Sequence, residues 1–214
     1  MAAPGTGVPG ATADAPAAPP TDAIYVAQPP LPPLEPRSRH YHDGFYLRLS
    51  VGFGGLGVSS NGGGTSSTTS GWGGAIDVLA GGTPAPGLVV GGGVLLQEAF
   101  SPSFSERGHS GPVGLGMLGP MIDAFPNPAG GFHVGGLVGL SRVGLDDAHG
   151  NASGGLGLSV WAGYMWWASS QWSLGGLVRL SAARSGRTLG ADPAQYDVAD
   201  TTRAATFMVS TAFH

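Results

Sequence analysis

The stretch DGFYLRLSVGFGG, residues 43–55, alternates large apolar side chains with small or polar ones. Phe45, Leu47, Leu49, Val51 and Phe53 make one series; Tyr46, Arg48, Ser50, Gly52 and Gly54 make the other. Successive side chains of a strand point to opposite faces, so this segment reads as a strand with two unlike faces. Which face meets the protein's own interior decides the fold.

The same texture recurs along the chain. Eight strands are expected near residues 43–54, 72–81, 87–99, 112–124, 130–143, 155–167, 171–183 and 203–213. A tilted strand crosses a bilayer in about 9–11 residues, and these lengths fit. The breaks alternate: GVSSNGGGTSSTTS is long, GTPAP short, FSPSFSERGHSG longer, PNPA short, DDAHGNASG longer, SSQ very short, and SGRTLGADPAQYDVADTT the longest. An up-and-down sheet built this way carries its tight turns at one end and its loops at the other, as outer-membrane barrels do.

The bulky series continues from strand to strand, through Trp72, Ile76 and Val78, then Val90, Val94 and Leu96. Val113, Leu115, Met117 and Met121 are assigned to it, as are Val134, Val138, Leu158, Val160, Val178, Phe207 and Val209. The opposite series is glycine, serine and a few polar groups, with Leu79, Leu95, Leu118, Leu137, Trp161, Leu177 and Met208 as exceptions. In a soluble barrel the bulky series would crowd into an eight-stranded bore that ordinary side chains just fill. Its exterior would be nearly uncharged, which is poor for solubility. Turning the sheet inside out removes both difficulties, and closure leaves no unpaired edge in hydrocarbon.

Composition agrees. Of 214 residues, 40 are glycine and only 10% are charged, far below the usual quarter. There is no lysine, and a net charge of −4 gives no basic patch for nucleic acid. The absence of cysteine excludes disulfides and thiolate sites. Residues 1–40, rich in Ala and Pro and containing QPPLPPLEP, read as a disordered tail or extended spacer. Their opening lacks the basic and apolar regions of a secretory signal.

The aromatic residues sort by level. Tyr46, Phe125, Phe132, Tyr164, Trp166, Trp167, Trp172 and Phe213 fall at the short-turn end, and Phe53, Trp72 and Phe100 near the other. Trp72, Tyr164, Trp166, Trp167, Trp172 and Phe213 are therefore expected to form girdles at the two membrane–water boundaries. A transmembrane helix over residues 149–178 is set aside because the segment has period two and an SSQ break.

With alternating strands over residues 43–214 and the ending ATFMVSTAFH, the sequence resembles the small outer-membrane barrels of the OmpA and OmpX type. Alternation closing on Phe213 resembles the signal read by the barrel-assembly machinery, although His214 follows it. The resemblance implies an all-β, eight-stranded, antiparallel transmembrane barrel over residues 41–214, monomeric, in contact with outer-membrane lipid, both termini in the periplasm. It transfers no functional residues.

Arg48, Asp77, Arg179 and His133 are the candidate polar groups of the interior. Arg48 and Asp77 on neighbouring strands are expected to pair, because an unpaired buried charge is costly. The cluster reads as a structural plug or as the gate of a narrow pore. His40 and His42 in HYH could offer two imidazoles to a metal, but two ligands do not make a site, and no metal or cofactor is assigned. His109 and His149, with Ser110 or Asp146, would suit a lipid-modifying enzyme only with measured geometry. Two GxGxxG matches, at Gly52 and Gly114, are not followed by helices and are rejected. The loops at 55–71, 100–111, 144–154 and 184–202 are where an extracellular partner is expected.

Overall fold

A computed structural model describes residues 40, 42, 44–62, 65–100, 102–104, 111–145, 152–188 and 199–214. The tail expected at the start of the chain lies outside these residues, as do His109, Ser110, Asp146 and His149. The strands are β1 (Phe45–Gly62), β2 (Thr65–Ala85), β3 (Leu88–Ala99), β4 (Ser103–Phe104), β5 (Val113–Ala124), β6 (Phe132–Leu145), β7 (Ala152–Trp167), β8 (Trp172–Thr188) and β9 (Ala199–Phe213). β4 is a two-residue addition to β2. The eight long strands pair antiparallel in chain order, and β1 pairs with both β2 and β9, which closes the sheet. Every long strand thus has two partners, and the ladder has no free edge to expose to hydrocarbon.

The opening segment faces as its alternation requires. Phe45, Leu49, Val51 and Phe53 are exposed on the outer wall, whereas Tyr46, Arg48 and Ser50 are buried within. Leu158, Val160, Val178, Leu180, Phe207 and Val209 continue the exposed apolar wall on β7, β8 and β9. On β7 this wall runs from Leu156 to Trp166, roughly 25 Å tall for tilted strands rising about 3.4 Å per residue. An apolar exterior over a charged interior is the inverse of a soluble core, and lipid is the solvent that suits it.

β5 reverses the expected phase. Val113, Leu115, Met117 and Met121 are buried in the bore, and Leu118 and Ile122 are exposed outside. In VGLGMLGPMIDA both alternate series are apolar or glycine as far as Ile122, so size gave no reliable face. The small residues Gly114 and Gly116 resembled the inward series but sit on the outer wall, where an added Cβ would be at least 3.5 Å from its nearest neighbour. Asp123 consequently points inward.

The long polar break expected at residues 55–71 is instead continuous ladder, from Leu56↔Gly71 to Gly62↔Thr65. Serine and threonine read as loop because they lack an apolar face, but a hairpin standing in water needs none. At about 3.4 Å per residue, the 18 residues of β1 reach some 40 Å along a tilted barrel wall, well beyond the apolar band. The opposite end is tight. Gly87, at φ +73°, makes the β2–β3 turn, where a side chain would also collide with the Phe125 carbonyl. Gly119 and Gly139 meet at an inside corner between β5 and β6, where a Cβ on either would lie 2.1 Å from a carbonyl oxygen of the other strand. The wall can bend sharply there because neither residue has a side chain.

Candidate functional site: the barrel interior

The bore holds three polar layers. In the first, Arg48 on β1 reaches across to Asp123 on β5, with Nη1 donating to Oδ2 at 2.8 Å. Asp123 also accepts from the Tyr46 hydroxyl at 3.0 Å and from His133 Nδ1 at 3.0 Å. The Arg48 guanidinium lies 4.5 Å from the ring centroid of Trp161, a cation–π contact, and Phe125 stacks on His133. Arg48, Asp123 and His133 are each completely buried.

The second layer runs along a different chord. Arg179 on β8 pairs with Asp77 on β2, and its Nη2 donates to Gln97 Oε1 at 2.9 Å. Thr206 donates to the same oxygen at 2.8 Å, while Gln97 Nε2 donates to the Gly55 carbonyl at 3.1 Å. The amide orientation of Gln97 is therefore fixed by its partners. Ser50 with Ser210, and Ser159 with Ser181, make further hydroxyl pairs in the wall lining.

The expected Arg48–Asp77 pair does not form. In the β1–β2 register Asp77 opposes Ser50, and Arg48 opposes Leu79. Both side chains point inward, but each finds its counter-charge across the bore rather than on the neighbouring strand. Asp123, the carboxylate that joins Arg48 to His133, was hidden by the reversed phase of β5. A signal existed: a carboxylate in an apolar strand has to take the inward face, and that would have set the phase.

The third layer closes the short-turn mouth. Ahead of β1, His42 sits under the barrel, where its amide donates to Pro128 and the Gly87 amide donates to its carbonyl. The His42 ring stacks on Phe125 at 3.7 Å between centroids and lies 4.7 Å from Trp167. Its Nε2 donates to the Gly130 carbonyl at 3.0 Å, which leaves Nδ1 as an acceptor. His214 Nδ1 donates to that nitrogen at 3.0 Å, and His214 Nε2 accepts from the Ser173 hydroxyl at 3.0 Å. This chain requires both imidazoles to be neutral. Burial pushes the His42 imidazole down to about 4 and that of His214 down to about 3, and the neighbouring imidazoles add to both effects.

The aromatic candidates divide between two faces. Trp72, Tyr164, Trp166 and Trp172 are exposed on the outer wall, and Phe213, partly exposed, packs edge-on against Trp172 at 5.3 Å. Trp167 belongs instead to the mouth layer, beside His40, His42 and His214. Tyr46 and Phe125 share its level and are buried inside. Level alone did not determine face at the end of a strand. Among the described residues no group of three His, Asp or Glu side chains is arranged to hold a metal.

No family profile and no curated protein sequence matches the chain. Solved structures do. The Neisserial surface protein A, NspA, superposes with a TM-score of 0.52 at 15% identity, over 79% of this chain and 96% of that one. OprG from Pseudomonas aeruginosa gives 0.44 at 11% identity, over 82% and 97%. Ail, the attachment invasion locus protein of Yersinia pestis, gives 0.41 at 12% identity, over 78% and 99%. With its closed antiparallel sheet and outward apolar band, the chain has the fold of the small bacterial outer-membrane β-barrels of the OmpA and OmpX type, and the outer membrane is the setting that fold and band suit.

Proposed function

We propose that this barrel is a sealed, non-enzymatic anchor whose work is done by the parts it holds outside the membrane. One observation carries the reading: two layers of ion-paired side chains cross the bore on different chords, and all four charged groups are at most 1% exposed. An eight-stranded bore has space for side chains but little for a water column, and the histidine–aromatic layer stoppers its lower mouth. Asp77 is held by Arg179, and Asp123 by Arg48 and His133, away from any path by which a substrate would arrive. The extended β1–β2 hairpin supplies a surface on which an extracellular partner would act, and the C-terminal strand β9 is where assembly machinery would engage.

Planar-bilayer recording tests the seal. The wild-type protein should give no stepwise conductance, and Arg48→Ala/Asp123→Ala, which empties one layer, should give more current than wild type. Stable unitary steps from the unaltered protein would overturn the proposal in favour of a narrow pore.

A further inference from the structure

We infer that the extracellular mouth of the bore binds a primary ammonium group brought in from outside, of the kind carried by a lysine side chain or a polyamine. The inference rests on the outward placement of the long-hairpin end and not on the seal. Three buried side-chain oxygens without a hydrogen-bond partner meet at that end of β8 and β9: Ser185 Oγ, Thr202 Oγ1 and Asp200 Oδ1. Ser185 and Thr202 are completely buried, whereas Asp200 is partly exposed, so the corner is reached from outside past Asp200.

Their convergence follows from the ladder. Ser185 is the direct partner of Asp200 across β8 and β9, which sets their Cβ atoms about 4.5–5.5 Å apart. Thr202 follows Asp200 by two residues on the same inward face, about 7 Å along the strand. Thr202 in turn opposes Ala183 on β8 and Val58 on β1, and Ala204 opposes Leu56. These four apolar side chains are buried. They floor the corner with groups that neither donate nor accept, so a ligand makes its polar contacts at the three oxygens.

The charge of the corner is negative and unopposed. Asp77 pairs with Arg179 and Asp123 with Arg48, but Asp200 has no cationic partner among the described residues. Arg184 and Arg203 adjoin Ser185 and Thr202 in sequence, and alternation turns both to the outer wall. A carboxylate oxygen and two hydroxyls buried without partners carry a desolvation cost that a positively charged donor offsets.

The number and type of these oxygens select the donor. An ammonium has three N–H donors on one nitrogen, one for each oxygen. A guanidinium engages a carboxylate through two parallel bonds, but only the Oδ1 atom of Asp200 is buried in the corner. Calcium takes about six to eight oxygens and magnesium a near-ideal octahedron; one carboxylate over an apolar floor underfills both. The protein has no lysine, so none of its own side chains supplies the group.

The test is a titration of the protein in nanodiscs, with the Ser185, Asp200 and Thr202 amides followed by NMR. Pentylamine should give saturable shifts at these residues. Pentyltrimethylammonium keeps the charge but has no N–H donor, and should bind at least about tenfold more weakly. Asp200→Asn and Ser185→Ala/Thr202→Val should each weaken pentylamine by about tenfold or more, with the heat-dependent gel mobility of a closed barrel retained. Nα-acetyl-lysine methylamide and cadaverine then distinguish the sources: tighter binding of the first supports a protein partner, and of the second a free polyamine. Equal affinity for pentylamine and pentyltrimethylammonium would overturn the inference without any variant. So would the absence of saturable shifts with pentylamine, tighter binding of Ca²⁺ than of any amine, or undiminished binding by folded Asp200→Asn. Channel recordings are indifferent to all these outcomes, so failure here is distinct from failure of the seal.

Discussion

Acidification should unlatch the lower mouth of the barrel. The chain Ser173–His214–His42–Gly130 has one donor and one acceptor at every link; protonating His42 places two N–H groups against each other, and protonating His214 turns its Nε2 from an acceptor of the Ser173 hydroxyl into a donor. Four sets of groups face this pair: Tyr46 on β1, Asp123 and Phe125 at the end of β5, His133 on β6, and His40 with Trp167 at the rim. Asp123 favours the protonated form of His42, while burial and His133 oppose it, and burial is the largest effect. A docked imidazole at about 4 against 6.5 when free makes docking release a proton. Docking is therefore at full strength above pH 6.5, and weakens as pH falls toward 4. For His42 alone the loss is about 2 kcal/mol at pH 5 and at most about 3 kcal/mol at pH 4.

Two observables check this in protein reconstituted in nanodiscs. Imidazole ¹⁵N shifts should show His42 as the Nε2–H tautomer at neutral pH, changing only below pH 5. Hydrogen exchange of the His42 and Gly87 amides, which hold His42 to the turns, should accelerate over the same range by roughly thirtyfold at pH 5 beyond the intrinsic pH effect. His42→Phe keeps the stacking on Phe125 and should abolish that acceleration. If His42 titrates near 6.5 while its amide protection is constant, the neutral-pair reasoning is wrong.

Two substitutions separate the inner face from the outer. Asp123→Asn strips Arg48 of its counter-charge in a closed site, and should cost about 3–5 kcal/mol in equilibrium unfolding from lipid vesicles; a loss below about 1 kcal/mol would show the layer to be unimportant. Leu158→Arg places a cation in the outward band near mid-height, where the expected cost is about 2–4 kcal/mol in the same assay. If that substitution is neutral, the band does not face hydrocarbon.

Most of the architecture was readable because an eight-stranded membrane barrel repeats one physical rule at every strand. Alternation with period two located the strands, and the inequality of the breaks placed turns and hairpins at opposite ends. The rule failed where its contrast vanished. β5 has no polar residue from Val113 to Ile122, so its face depended on Asp123, the one side chain that lipid would not accept. Strand ends failed for another reason. Ser and Thr beyond the band need not alternate, so β1 and β2 ran further than their apolar pattern. At the lower mouth, Trp167 answered to the histidines beneath the barrel rather than to the membrane boundary. The interior polar residues on β1, β2, β6 and β8 were legible by type, but their partners were not. Strand neighbours can be read from chain order, whereas partners across a bore depend on the tilt that closes it.

That dependence explains why charges are kept in the bore. Lipid is as apolar as leucine, so burying the outer wall does little to select one strand register over another. A slip of two residues would preserve every face, since side chains alternate with period two. It would, however, carry Arg48 away from Asp123 and Arg179 away from Asp77, leaving four uncompensated charges where water is scarce. Breaking a buried pair costs about 3–5 kcal/mol, although the intact pair adds little over an apolar replacement. The ion pairs thus act less as glue than as keys. Because they join strands that are not neighbours, they penalise errors in the closure of the whole cylinder as well as in a single ladder.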